Sequence, residues 1–174
     1  MLVQMMLSSI AHASINHDQV IKNLKKLALD KMDKQNKNFE IKFVKNWSEE
    51  EIVKLYKAGG WWKESYDSSR IGSLIKGSFA FAVVIDSNTG KSVGMGRILS
   101  DGISDAYIQD LIILPDYRGQ GIGKQLLKAL SEKCLSNNIK WLGLISEPNQ
   151  NGFYSNLGFR KMENYTPMKY QTEE

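Results

Sequence analysis

The stretch Tyr107–Leu127, YIQDLIILPDYRGQGIGKQLL, decides how this chain folds. It opens as an apolar strand, stops at Pro115, and turns through Asp116 and Tyr117. It then passes three glycines and enters a helix with Ile122, Leu126, Leu127, Leu130 and Cys134 on one side. The start of a helix exposes backbone N–H groups that lack a partner, together with the positive end of the helix dipole. Glycines let a ligand come close, because no Cβ stands in the way. Strand, glycine loop and helix therefore make an anion site suited to a phosphate or a pyrophosphate.

Spacing excludes two common nucleotide loops. A phosphate-binding loop requires G-x-x-x-x-G-K-[ST], but Gly123-Lys124 is followed by Gln125, and Arg118 stands where the first glycine belongs. A dinucleotide loop requires G-x-G-x-x-G, whereas Gly119, Gly121 and Gly123 are spaced G-x-G-x-G.

Outward from this segment, the pattern is that of one mixed domain. Phe39, Ile41 and Phe43 alternate with polar residues as in a half-buried strand. Ser48-Glu49-Glu50-Glu51 has the S-x-x-E capping spacing and opens a helix that Gly59-Gly60 can end. A short helix is predicted over Ser69–Lys76. Strands are predicted over Phe79–Ile85 and Val93–Leu99, joined as a hairpin by the turn residues Asp86 to Gly90. A further strand is predicted over Ala106–Leu114, then the helix from Gly121 to about Leu135. A strand over Trp141–Ile145, a short helix over Gln150–Asn156 and a closing strand over Phe159–Lys169 complete the order. The expected class is α/β or α+β, a mixed sheet with helices packed on it.

The chain has 174 residues, enough for one domain with a substantial core. No apolar run is long enough to cross a bilayer, and no membrane association is expected. Residues 1–38 carry six lysines against Asp18, Asp30 and Asp33, so most of the net charge of +4 lies there. They are expected to form a helical or disordered extension. Residues 15–30 could be an amphipathic helix, and 31–38 a polar linker. The remainder, 39–174, is near neutral, which argues against a nucleic-acid-binding face. Met1–Ser14 includes Ala11-His12-Ala13, which resembles a leader cleavage site. It has no basic residue ahead of it and is interrupted by Gln4, Ser8 and Ser9, so a cytoplasmic protein is expected. Cys134 is the only cysteine, and the only histidines, His12 and His17, precede the main domain, so no metal site is expected. Cys134 lies in the apolar pattern of its helix with no histidine to activate it, so it is rejected as a nucleophile.

One loop pattern does fit: [RQ]-x-x-G-x-[GA], met by Arg118, Gly121 and Gly123. With the preceding apolar strand and the later Phe153-Tyr154-x-x-Leu157-Gly158-Phe159, the sequence from roughly Phe39 to Lys169 resembles the GCN5-related N-acetyltransferase (GNAT) superfamily. The resemblance implies a mixed, mostly antiparallel central sheet flanked by helices, and acetyl-CoA as co-substrate. It implies that Ile112, Ile113 and Leu114 lend backbone groups to the pantetheine arm. The amides of Arg118, Gly119, Gln120, Gly121, Ile122, Gly123 and Lys124 would take the pyrophosphate. The strand Trp141–Ile145 would splay away and open a cleft for the thioester, where the N–H of Ile112 or Ile113 would polarise the acetyl carbonyl. Tyr154 would protonate the departing thiolate. Many relatives carry Asn and Ala where this chain has Glu147 and Gln150, so Asn149 is either an out-of-register contact to the cofactor or a helix cap.

The acceptor implied is a small-molecule amine, and dimers are common among relatives. An amine with a pKa of about 10 must lose a proton before it attacks. Asp110 on the cofactor strand is the leading base, with Asp101, Asp105 and Glu147 as alternatives. Asp110 could equally be a structural residue at a sheet bulge. Ser100–Asp105 is either a turn or an acceptor-side loop, and Trp61-Trp62 either core or acceptor contacts. The segment Gly60–Ser78, with Ile108–Asp110, also looks like members that acetylate arylalkylamines. The rival functions are a non-catalytic acyl-CoA sensor and a protein-lysine acetyltransferase docked through residues 1–38.

Overall fold

The hydrophobic centre of the chain is Ala80–Asp86, seven consecutive buried residues in a computed structural model that describes residues 38–171. A strand buried along its whole length must be covered on both faces. This strand, β2 (Ala80–Asp86), lies second from the edge of a five-stranded sheet. The others are β1 (Phe39–Val44), β3 (Ser92–Ser100), β4 (Asp105–Ile113) and β5 (Trp141–Gly143), and the spatial order follows the sequence. The first four are antiparallel neighbours, and β5 joins β4 in parallel. The class is therefore the mixed, mostly antiparallel sheet flanked by helices.

The β2–β3 turn forms as its residues dictate. The Asp86 carboxylate accepts the amide of Asn88 at 2.9 Å, and Gly90 takes φ +69°. Helix α1 (Glu49–Ala58) starts at Ser48, whose hydroxyl accepts the amide of Glu51. The reciprocal half of a capping box is absent. Glu51 instead accepts the indole N–H of Trp47 at 2.8 Å and the amide of Ser92 at 3.1 Å, tying the helix to β3. The second helical segment is a 3-10 turn, Ser68–Arg70, running into α2 (Ile71–Gly77). A parallel β4–β5 pair requires a crossover, and α3 (Ile122–Ser136) supplies it. Its Leu126, Leu127, Leu130 and Cys134 are buried, as the sequence pattern requires.

The sheet separates α1 from α3. Gly96 of β3 faces α3, where a Cβ would lie 2.8 Å from Leu130 Cδ1. Its neighbour Arg97 points to the opposite face and meets α1 through Asp110, which also receives the Tyr56 hydroxyl.

Two expectations at the C-terminal end are corrected. The strand at Trp141 stops at Gly143 instead of continuing to Ile145. The short helix α4 covers Asn151–Ser155, but Phe159–Lys169 forms no strand. Asn164 takes φ +64°, which breaks extended alternation, and Pro167 has no amide to give a ladder. Only Phe159 packs on the core, while Tyr165 and Met168 are exposed. The expected extension over 1–38 lies outside the described residues, Asn38 apart.

Gly94 sits where β3 is squeezed. A Cβ there would press on the δ-methyl of Ile113 and lie 2.9 Å from the carbonyl oxygen of Ile112. Gly94→Ala is therefore expected to cost about 1–3 kcal/mol of stability. Gly72, inside α2 with open space around its Cβ position, is the opposite case: Gly72→Ala should gain up to about 1 kcal/mol. Urea unfolding checks both, and a loss at Gly72 matching that at Gly94 contradicts the packing account.

Candidate active site

The glycine loop is an uncapped helix start. Gly121 is the N-cap of α3, in the left-handed region at φ +78°, and no side chain caps the helix. Gly119 is also left-handed, at φ +76°. Nothing lies within 4 Å of where a Cβ would sit on either residue, so the loop faces open space. The first helical bond runs from the Gln125 amide to the Gly121 carbonyl. The amides of Ile122, Gly123 and Lys124 therefore have no acceptor within the helix. Left-handed turns followed by free N–H groups form a concave nest for an anion.

The loop is fixed at both flanks. Arg118 Nε donates to the Ile113 carbonyl at 2.9 Å, tying the loop back to the end of β4. The 3-10 turn Pro115–Tyr117 is held by the Tyr117 hydroxyl, 3.3 Å from the Asp86 carboxylate, and by an edge-on contact of Tyr117 with Phe39.

β4 and β5 pair over only three residues, Asp105 to Tyr107 against Trp141 to Gly143. From Ile108 onward β4 has no partner on that side among the described residues, and the strands part to leave a cleft. The amide of Leu114 donates to Val93 on the β3 side at 2.9 Å. Alternation along the strand then turns Ile112 toward β3 and Ile113 toward the cleft. The bond from Arg118 to the Ile113 carbonyl agrees with that direction. Of the amides of Ile112 and Ile113, it is that of Ile113 that faces the cleft.

Between Met95↔Ile112 and Arg97↔Gln109, β4 contributes two residues, Asp110 and Leu111, against Gly96 alone. This is a β-bulge, and Asp110 takes φ +55° there. One Asp110 oxygen accepts both Arg97 Nε and, at 2.7 Å, the Tyr56 hydroxyl. Arg97 also donates to Gln109 Oε1 at 3.1 Å. Burial first, and the Asp110 charge second, push the Tyr56 phenol well above its usual range, so it stays a proton donor.

Two cavities meet in the cleft. The larger, about 940 Å³, runs from the loop along β4 and is lined by Ile112, Ile113, Arg118, Gly119, Gly121, Ile122, Gly123 and Lys124. The smaller, about 270 Å³, is lined by Asp110, Tyr107, Leu144 and Ile145 among others. Trp61, Leu111, Glu147 and Tyr154 line both. Tyr154 packs against Phe153 and Phe159, with ring centroids 5.0 and 6.2 Å away. Burial, with the Glu147 charge second, raises its pKa above the ordinary phenol value.

Three of the expected cofactor residues do not line either cavity: Leu114, Gln120 and Asn149. The Leu114 amide donates to Val93, and Gln120 is exposed. Asn149 takes φ +66° in the turn before α4, whose N-cap is Gln150 with no side-chain cap bond, so Asn149 is not the cap. Asp101 is occupied in its own turn, accepting the amides of Ile103 and Ser104, which hold its carboxyl below the usual range. Asp101 and Asp105 are absent from both cavity walls. Trp61 lines the cleft, whereas Trp62 packs on Tyr56 and Tyr66. Cys134 is fully buried, and burial raises its thiol pKa, as an inert core residue requires.

Sequence reasoning passed over Arg97 and Tyr56. The signal for Arg97 was present, since a cation inside the apolar strand VGMGRIL must find a partner. Tyr56 left no comparable trace, because one aromatic on a helix face reads as core.

Comparison with known proteins agrees with this geometry. Residues 56–170 match the family model described as "Acetyltransferase (GNAT) domain". A protein of Pyropia yezoensis named "Uncharacterized N-acetyltransferase ycf52" is 33% identical over 147 residues, covering 80% of this chain and 82% of that protein. The "GCN5-related N-acetyltransferase 2, chloroplastic" of Arabidopsis thaliana is 34% identical over 122 residues, covering 65% of this chain and 45% of that one. Among solved structures, a GNAT family acetyltransferase of Streptococcus pneumoniae superimposes with a TM-score of 0.63 at 29% identity, covering 78% of this chain and 99% of that one. With the family model spanning most of the chain, and the sheet, loop and cleft in place, the protein belongs to the GNAT acetyltransferases.

Proposed function

We propose that the protein transfers an acetyl group from acetyl-CoA to the primary amine of a small molecule, by direct attack on the thioester. The observation that carries this reading is the meeting of the two cavities at Tyr154. The long arm ends in free helix amides, Arg118 and Lys124, a site for the donor's pyrophosphate. The short arm is left for the acceptor. Tyr154 stands where the two join, with a phenol kept protonated by its surroundings.

In this reading the carbon–nitrogen bond forms as the carbon–sulfur bond breaks. The Ile113 amide stabilises the negative charge that develops on the carbonyl oxygen. The Tyr154 hydroxyl gives its proton to the leaving thiolate. Asp110 keeps the bulge rather than taking the amine's proton, because Arg97 and Tyr56 share one of its oxygens. The acceptor arm, of about 270 Å³, is of a size that a small amine can fill.

Calorimetry with acetyl-CoA tests the donor site. Binding is expected, and Gly121→Val should weaken it by about tenfold or more, since a branched residue resists φ +78°. A chain that takes up no acetyl-CoA at millimolar concentration overturns the reading. Thiol release with an amine panel tests the acid. Tyr154→Phe should lower kcat by about 10²–10⁴-fold with little change in donor affinity. Because the phenol is raised, the wild-type kcat should fall only at a pH above about 10, and Tyr154→Phe should lack that alkaline limb.

A further inference from the structure

At the junction of the two cavities one carboxylate has no cation beside it among the described residues. Glu147 lines both arms, yet among the described residues its side chain has no hydrogen bond and no ion pair. Its main chain is fixed. The carbonyl oxygen accepts the Gln150 amide at 3.2 Å and the Ser146 hydroxyl at 3.0 Å, and Pro148 follows. A held backbone bearing an exposed, unpaired carboxylate on the walls of both arms is an arrangement that can receive a cationic ligand.

The surroundings narrow that ligand. Asp110, the other carboxylate in the acceptor arm, is balanced by Arg97. The remaining titratable groups on the two walls are Tyr107 and Tyr154 in the acceptor arm, with Tyr117, Arg118 and Lys124 toward the loop. The acceptor arm thus carries one unbalanced negative charge, Glu147. Apart from Gln109, whose Oε1 accepts from Arg97, its other walls are apolar or aromatic: Trp61, Leu111, Leu144, Ile145 and Tyr107, the last backed by Trp141 with ring centroids 5.1 Å apart. One cation and an apolar body match such a space. A polyamine would bring further charges with no counterpart.

We propose that Glu147 receives the acceptor's ammonium group and takes its first proton, and that the acceptor arm selects compact monoamines with an aromatic or aliphatic body. This rests on the acetyl-transfer reading above. The ammonium gives one proton to Glu147, and the freed amine attacks the thioester carbon. The sulfur leaves with the proton of Tyr154, and the second proton of the new nitrogen restores Tyr154. Glu147 returns its proton to water, so the net change is ammonium plus thioester to amide, thiol and one proton.

The test compares wild type with Glu147→Gln at neutral pH in a thiol-release assay. The acceptors are phenethylamine, its β,β-difluoro analogue (largely neutral at that pH), spermidine and a lysine-containing peptide. Glu147→Gln should lower kcat/KM for phenethylamine by about tenfold or more while moving the acetyl-CoA KM by less than about twofold. The penalty on the neutral difluoro amine should be less than about threefold, because a neutral nitrogen gains little from the carboxylate. Wild type should prefer phenethylamine to spermidine and to the peptide by about tenfold or more. Equal penalties on the charged and neutral amines overturn the role of Glu147, as does a shift in donor KM matching the acceptor effect. A preference for spermidine or the peptide overturns the acceptor class. If wild type releases no thiol with any amine, the acetyl-transfer reading itself falls. Normal release by Glu147→Gln removes only this inference.

Discussion

The site depends on one interruption: β5 pairs with β4 for three residues and then leaves it. Unpaired strand edges are normally a cost to a fold, since their N–H and C=O groups want partners. Here the cost is accepted where a ligand can supply the partners. The bulge at Asp110 prepares that edge, because an extra residue on β4 bends the strand and re-aims the backbone beyond it. A non-glycine residue at φ +55° is strained, and it persists only when its surroundings over-determine it. Arg97 from β3 and Tyr56 from α1 do so, closing on one carboxylate oxygen from two sides. The opening of the sheet is therefore set by a polar knot on the face opposite α3.

The loop obeys the same logic at the other end of β4. Its glycines leave the helix start uncapped, which in a buried helix would be a defect. Arg118 and Tyr117 hold the loop from outside, so its free amides do not relax onto protein acceptors. Both ends of the cleft thus spend local stability on unsatisfied backbone. The deep packing of β2 and the inner face of α3 makes that tolerable.

Much of this was legible in the chain. Period-two alternation, the Asp86–Gly90 turn and the apolar face from Ile122 to Cys134 are local signals, and local physics realises them. The loop was legible because its glycines answer a backbone requirement that no other residue meets as well. The failures lie where distant groups decide. The length of β5 depends on where β4 bulges, which the residues of β5 do not encode. The stretch after Phe159 is extended in composition, but Asn164 at φ +64° and Pro167 interrupt it. Asp110 left two readings open in the sequence, a base or a structural residue at a bulge, and the bulge it occupies is set by distant groups. Its partners lie 13 and 54 residues away in the chain.

That long-range pairing also explains how charge is distributed in the cleft. Were Asp110 unpaired, the acceptor arm would hold two carboxylates and draw dications or polyamines. With Arg97 in place, the arm keeps one free negative charge, at the point where both cavities meet. Arg118 and Lys124 supply the opposite sign at the loop. At physiological salt, charges interact over about 8 Å, so these groups act as local sorters rather than as a field that steers from afar. Under the proposed reading, an anionic donor and a cationic acceptor would each be matched at their own end. The glycine loop accounts for the donor; the acceptor depends on a pairing across three elements that no single segment of the sequence carries.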